Sequence, residues 1–174
     1  MQKEALNYLK DNEQNRSGMK DVKKSLLIIS CSKRKKLIEN EPAIEVYDGP
    51  YYRILRKAAI EYLEIKIVSA KYGLIDSKEI ISYYDEPMTK QRAIELRNEN
   101  DKKLLEDLKT NNYSHVLILL GESYRNALDL NLPITYIANY SFPEGPIGMK
   151  LHELKIWLGN IYAYATKDEE STLK

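Results

Sequence analysis

The chain has one cysteine (Cys31), two histidines (His115 and His152), one tryptophan and one phenylalanine among 174 residues. A lone thiol excludes an internal disulfide and fits a reducing compartment. One cysteine and two scattered histidines are too few for a structural zinc site, so no metal is expected. No apolar run approaches the ~20 residues of a membrane span. The opening MQKEALNYLKDNEQNRSGMK lacks the apolar core of a signal peptide. The expectation is therefore a cytoplasmic protein with no membrane partner. An excess of one charge is also missing, with 27 Lys and Arg against 26 Asp and Glu. That balance gives no reason to expect a nonspecific polyanion binder unless its cations are focused in a patch. Neither GxGxxG nor GxxxxGK[ST] occurs, which leaves a dinucleotide fingerprint and a P-loop unsupported; no cofactor is expected.

What is present is the make-up of one globular domain, with 43% hydrophobic and 30% charged residues. Residues 1–22 are polar and read as a peripheral arm or helix. Residues 23–164 read as an α/β domain and 165–174 as a flexible tail. Four short apolar runs predict strands: Ser25–Ser30, Ile65–Ser69, His115–Leu120 and Ile134–Ala138. Between them, helical spacing predicts helices over Pro50–Leu63 and Thr89–Leu108, a short one from Gly121 to Leu128, and a last one over Met149–Tyr162. Thr89 is a plausible N-cap. Strands alternating with helices predict a single three-layer Rossmann-like sandwich, with right-handed crossovers and a mostly parallel sheet of about four or five strands.

Parallel strands share a direction, so the segments that follow them should emerge at one edge of the sheet. They bring Cys31, Ser32 and Lys33 after Ser30; Lys71, Tyr72 and Gly73 after Ser69; and Gly121, Glu122, Ser123 and Tyr124 after Leu120. Asn139 and a Pro/Gly-rich loop follow the fourth run. Small hydroxyl residues, glycine and lysine are the chemistry that cradles phosphate. Ser30, Cys31, Ser32 and Lys33 are the expected phosphate contacts, and Tyr72 and Tyr124 the expected base or sugar contacts. Lys71 with Asp85 is the candidate proton-transfer pair, and Glu122 lies at the same edge. Each assignment has a plainer counterpart. Lys33-Arg34-Lys35-Lys36 reads as an anion funnel or as a solvated charge run. Cys31 reads as a packing thiol, a backbone-site residue or a nucleophile. Asp85 and Glu86 read as ribose or base-catalysis carboxylates, or as an acidic lead into the next helix. Tyr47, Tyr51, Tyr72, Tyr84 and Tyr124 are base-stacking candidates or core tyrosines.

Several of these segments resemble a known group. The stretch SAKYGLIDSKEIISYYDEPM (69–88) is similar to a block of the YaaA family of peroxide-stress proteins. It resembles still more an uncharacterised relative with CSxxK, Y.G and SAKYGL…YD signatures. Here these read Cys31-Ser32-Lys33-Arg34-Lys35, Tyr47-Asp48-Gly49, Ser69-Ala70-Lys71-Tyr72-Gly73-Leu74 and Tyr84-Asp85. The resemblance adds Gly49 and Ser69 to the candidate ligand contacts, beside Tyr47, Gly73, Tyr84 and Gly121 named above. It implies a cytoplasmic α/β protein, with a basic cleft that binds DNA under oxidative stress in YaaA, or with nucleotides or modified bases as ligands in the relative. The chain is shorter than YaaA, has no helix-hairpin-helix signature, and carries Asp85 where YaaA has a basic residue. The leading expectation is a nucleotide- or nucleobase-processing protein with its pocket at the carboxyl edge of the sheet. If it is an enzyme, a metal-independent glycosidase or base/ribosyl-transfer activity at an N-glycosidic bond fits best. The alternatives are a non-enzymatic DNA-binding stress protein and a plain interaction module.

Overall fold

The first apolar run is buried on both sides, and the rest of the fold follows from the need to cover it. The computed structural model describes residues 23–58 and 61–172, with side chains through 163. The first half of the chain forms β1 (Lys24–Ser30), β2 (Glu41–Pro42), α1 (Ala43–Val46), α2 (Pro50–Ala58), β3 (Leu63–Ser69), β4 (Gly73–Asp76) and β5 (Ile80–Ile81). Then come α3 (Lys90–Thr110), β6 (Tyr113–Leu119), a 3₁₀ helix (Glu122–Ala127), α4 (Asn131–Tyr136), β7 (Asn139–Ser141) and α5 (Ile147–Thr172).

Successive strand side chains point to opposite faces. Leu27 and Ile29 of β1 join Ile67, Leu117 and Leu119 in a core closed by Tyr52 and Leu55 of α2 and Leu154 and Leu158 of α5. Leu26 and Ile28 join Val68, Val116 and Ile118 in a second core, closed by Ala93, Leu104 and Leu108 of α3 and by Ala127 and Leu128. The result is a Rossmann-like α/β sandwich around a five-stranded sheet of order β4-β3-β1-β6-β7. β1 pairs parallel with β3 and β6, β6 parallel with β7, and β4 is an antiparallel edge. The chain steps from β1 to β3 on one side, then returns past β1 to β6 on the other. That reversal opens the sheet's topological switch point between β1 and β6.

The structure corrects several expected elements. Ile134–Ala138 is not the fourth strand: Asn131–Tyr136 is helical and the strand is Asn139–Ser141. Pro133 and Ile137 are both buried, one helical turn apart, so packing overrides the β-propensity of Ile-Thr-Tyr-Ile. The second helix, described over Pro50–Ala58, does not reach Leu63, because Leu63 pairs with Ser25 as the first residue of β3. The last helix continues through Thr172, into the stretch expected as a tail. β2, β4 and β5 were not foreseen, since β2 and β5 have two residues each and β4 only four. The expected N-terminal arm and Ala59 lie outside the described residues. Thr89 does cap α3, its side chain accepting from the Arg92 N–H at 3.1 Å. No helix among the described residues is long and apolar enough to cross a membrane.

Candidate functional site

The ends of β1 and β6 are stitched together by Ser30. Its Oγ donates to the Leu119 carbonyl (3.3 Å) and accepts from the Gly121 N–H (2.9 Å). Its own carbonyl accepts from the Tyr52 hydroxyl at 2.7 Å. At this seam lies a cleft of about 220 Å³, lined by Ser30, Tyr51, Leu119, Leu120, Gly121, Ile147 and Lys150. The first turn of α5 contributes Ile147 and Lys150 to that lining. A helix N-terminus favours negative charge. A larger cleft of about 470 Å³ opens at the amino edge of the sheet, lined by Lys24, the turn after α3, Tyr113, Tyr136 and Ile137. None of the residues singled out in the sequence lines it.

Beside the seam, towards β3, the chain buries a cluster of tyrosines. Cys31 Sγ lies 3.1 Å from the Tyr124 hydroxyl. Tyr84 Oη meets Ser69 Oγ at 2.7 Å and Tyr47 Oη at 2.8 Å. Ser69 Oγ also accepts from the N–H groups of Lys71 (3.2 Å) and Tyr72 (3.1 Å). A hydroxyl has two lone pairs and one proton. Ser69 therefore donates its proton to Tyr84, and the Tyr84 and Tyr47 hydroxyls share a further hydrogen bond. Burial, and secondly the neighbouring Cys31 sulfur, push the phenols of Tyr47, Tyr84 and Tyr124 far above the usual range, and Tyr52 likewise. All four stay protonated donors at any physiological pH.

Two cations sit on this aromatic floor. Lys35 Nζ lies 4.4 Å from the Tyr84 ring centre and 5.9 Å from that of Tyr47. Lys71 Nζ lies 5.2 Å from the Tyr72 ring centre and 5.8 Å from that of Tyr84. The Lys71 segment is fixed from α3: Arg92 donates to the carbonyls of Ala70 (2.7 Å) and Lys71 (3.1 Å). The rest of the basic run is partly neutralised. Arg34 pairs with Asp48 (3.4 Å) and Lys36 with Glu45 (3.8 Å). Asp48 also holds Arg53 and Arg56, and hydrogen bonding from Arg53 keeps its carboxyl below the usual range. Among the described residues no set of three His, Cys, Asp or Glu side chains comes together in a way that would hold a metal ion.

Comparison with known proteins places this arrangement in a family. Residues 26–156 match a family of unknown function, DUF6884. The chain belongs to that family. No curated protein and no solved structure matches it. The stretch matched runs from β1 to the first part of α5, so this DUF6884 chain carries the seam, the tyrosine cluster and both lysines within the family region.

The site residues expected from the sequence divide into three groups. Ser30, Cys31, Ser69, Tyr72, Gly121 and Tyr124 do gather at the carboxyl edge, with Lys71. Tyr47 and Tyr84 are there too, but at 0% and 5% exposure they form the floor rather than stack a base. Ser32 is committed elsewhere: its Oγ donates to the Arg34 carbonyl and accepts from the Asp48 N–H, with Gly49 packed close against it. Gly73 shapes the β3–β4 turn at φ +72°, where a side chain would also meet Asn100 Oδ1 at 2.7 Å. Lys33, Asp85 and Glu122 are exposed and make no hydrogen bond or ion pair among the described residues. Lys35 is expected at the site only as one member of the basic run and Tyr51 only as one ring among several, while Lys150 is not among the expected site residues. Nothing in the sequence sets Lys35 apart from its neighbours in the run, and Lys150 lies within the expected last helix, which no motif ties to this edge.

Proposed function

We propose that this DUF6884 protein binds a nucleotide or nucleobase-bearing ligand along the carboxyl rim of β6, β1 and β3, and acts at its N-glycosidic bond. The observation that carries the reading is the cleft at the topological switch point, the place where open α/β sheets bind ligands. Neighbouring strands lie ~4.8 Å apart, so the three strand ends span about 10 Å of rim. Tyr51 supplies a ring at the cleft for the base. Glu122 follows directly on Gly121, and its carboxylate is exposed without a partner among the described residues. In the proposed reaction Glu122 takes a proton from the water or acceptor that attacks the sugar carbon. The carbon–nitrogen bond breaks with its electron pair going to the base, which Lys150 protonates. Asp85, exposed and unpaired on the loop after Tyr84, remains available to hold a sugar hydroxyl.

The segment SAKYGL supports a further proposal, kinship with the YaaA proteins; a cytoplasmic setting and a stress role belong to that proposal as well. The duplex-binding alternative draws less support, because Arg34 and Lys36 of the basic run are engaged by carboxylates.

Incubation with nucleosides, nucleotides and oligonucleotides, with chromatography of released base, tests the reading. Turnover of at least one class is expected, and Glu122→Gln should reduce it about 10²- to 10⁴-fold. Absence of base release across the panel, or an unchanged rate in Glu122→Gln, counts against the chemistry.

A further inference from the structure

Lys35 and Lys71 reach the same ring from segments far apart in sequence. Their nitrogens lie 4.4 Å and 5.8 Å from the centre of Tyr84, so their separation cannot exceed the sum of those distances. Two ammonium groups within about one Debye length of each other repel weakly and favour an anion between or beside them. Neither ammonium forms an ion pair among the described residues, whereas Arg34 and Lys36, the neighbours of Lys35, are paired with carboxylates. Both lysines stand on fixed backbone. Lys35 bridges Tyr47 in antiparallel fashion, and its flanking residues hydrogen-bond to Val46 and Asp48. The Lys71 segment is gripped by Ser69 and Arg92. A cation–π contact offers each ammonium about 0.5–1 kcal/mol at an exposed site, too little by itself to explain two cations converging on one phenol.

We infer that Lys35 and Lys71 form a clamp for a phosphate dianion, so that the ligand of the rim is a phosphomonoester rather than a free base or nucleoside. Two point charges match a dianion in number. Lysine binds phosphate as a point charge, whereas a carboxylate is better recognised by the two-pronged guanidinium of arginine. Of the expected phosphate cradle of Ser30, Cys31, Ser32 and Lys33, the Ser30 and Ser32 hydroxyls are consumed by backbone partners and Cys31 is buried against Tyr124, while Lys33 stays exposed. The clamp deepens the nucleotide reading and rests on it for the nucleoside part of the ligand, while the anion site itself stands on the lysine geometry.

The test is calorimetric titration of the full chain with inorganic phosphate, with a set of nucleoside 5′-monophosphates and with the matching nucleosides, at constant ionic strength. Lys35→Met and Lys71→Met keep the aliphatic stem over the ring and remove only the charge; Lys57→Ala, on the exposed side of α2, controls for net charge. At least one monophosphate is expected to bind ten-fold or more tighter than its nucleoside, with inorganic phosphate competing. Each methionine variant should lose ten-fold or more of that affinity and retain the wild-type melting temperature within a few degrees. Lys57→Ala should match wild type. Phosphate binding that both methionine variants abolish, with no gain from any nucleoside part, upholds the clamp and overturns the nucleotide reading. Nucleosides that bind as tightly as their monophosphates, or monophosphate affinity untouched in both variants, overturn the clamp and leave that reading standing. No binding of phosphate or of any monophosphate overturns the clamp, and nucleoside binding then decides the reading alone. If a methionine variant melts far below wild type, Lys→Arg at the same position restores the charge, and failure of that variant to recover affinity also overturns the clamp.

Discussion

Asn100 is 1% exposed on the inner face of α3, and both ends of its amide are used. Oδ1 accepts from the Leu74 N–H at 2.7 Å and Nδ2 donates to the Ala127 carbonyl at 2.8 Å. One side chain thus joins the turn that carries Lys71 and Tyr72 to the end of the 3₁₀ helix that carries Glu122 and Tyr124. Gly73 is the other half of this device, since its left-handed backbone and the missing Cβ let the turn approach the amide. Asn100→Ala strands two buried backbone groups, each costing about 1–3 kcal/mol. The variant should lose about 2–6 kcal/mol in urea unfolding at unchanged slope. A loss well under 1 kcal/mol would mean that water or a neighbour replaces the amide. From the sequence, Asn100 was one polar residue among many on a charged helix. Its importance comes from being the one that faces inward.

At the scale of elements, the loop after β1 is held against α2 by Asp48, which gathers Arg34, Arg53 and Arg56. The carboxyl is held below the usual range, first by its hydrogen bond from Arg53. A depressed carboxyl in the folded state stabilises the fold above the unfolded value, about 3.9, and that contribution disappears as pH falls through the folded value. The urea midpoint of wild type should therefore exceed that of Asp48→Asn by a constant margin above about pH 5, and the margin should close as pH drops below about 4. A margin that persists at the lowest pH would show that Asp48 acts through packing or neutral hydrogen bonds instead. The same pairing explains why the basic run is a weaker guide than it looks in the sequence: its cations face different partners, and only their order along the chain makes them a group.

At the scale of the whole molecule, four of the chain's 14 tyrosines, Tyr47, Tyr52, Tyr84 and Tyr113, are buried among the described residues. Burial is the first cause that raises the phenols of Tyr47, Tyr52, Tyr84, Tyr113 and Tyr124. An acid whose folded value is raised stabilises the fold fully below the unfolded value, near 10, and that stability is lost as pH rises beyond it, because the unfolded chain releases the proton first. In an alkaline titration, the absorbance change of Tyr47, Tyr52, Tyr84, Tyr113 and Tyr124 should arrive only with cooperative unfolding, seen as loss of the native circular dichroism. Complete ionisation of all tyrosines with the native spectrum intact would contradict the buried cluster.

Composition and local pattern settled the three central strands β1, β3 and β6, but not the short edges β4 and β7. Four-residue apolar runs such as Leu26–Ile29 and Leu117–Leu120 have only one stable placement, between two layers of helix, and Thr89 marked a helix start because a cap is a local device. The common edge followed, since parallel strands must end together. What only the tertiary structure decided was which groups at that edge are free. Tyr47 and Tyr84 sink into the core, Ser32 turns to its own loop, and Lys35 separates from Arg34 and Lys36. Periodicity reports which face of an element is apolar, whereas the availability of a hydroxyl or an ammonium depends on partners tens of residues away, and those meet only when the layers close.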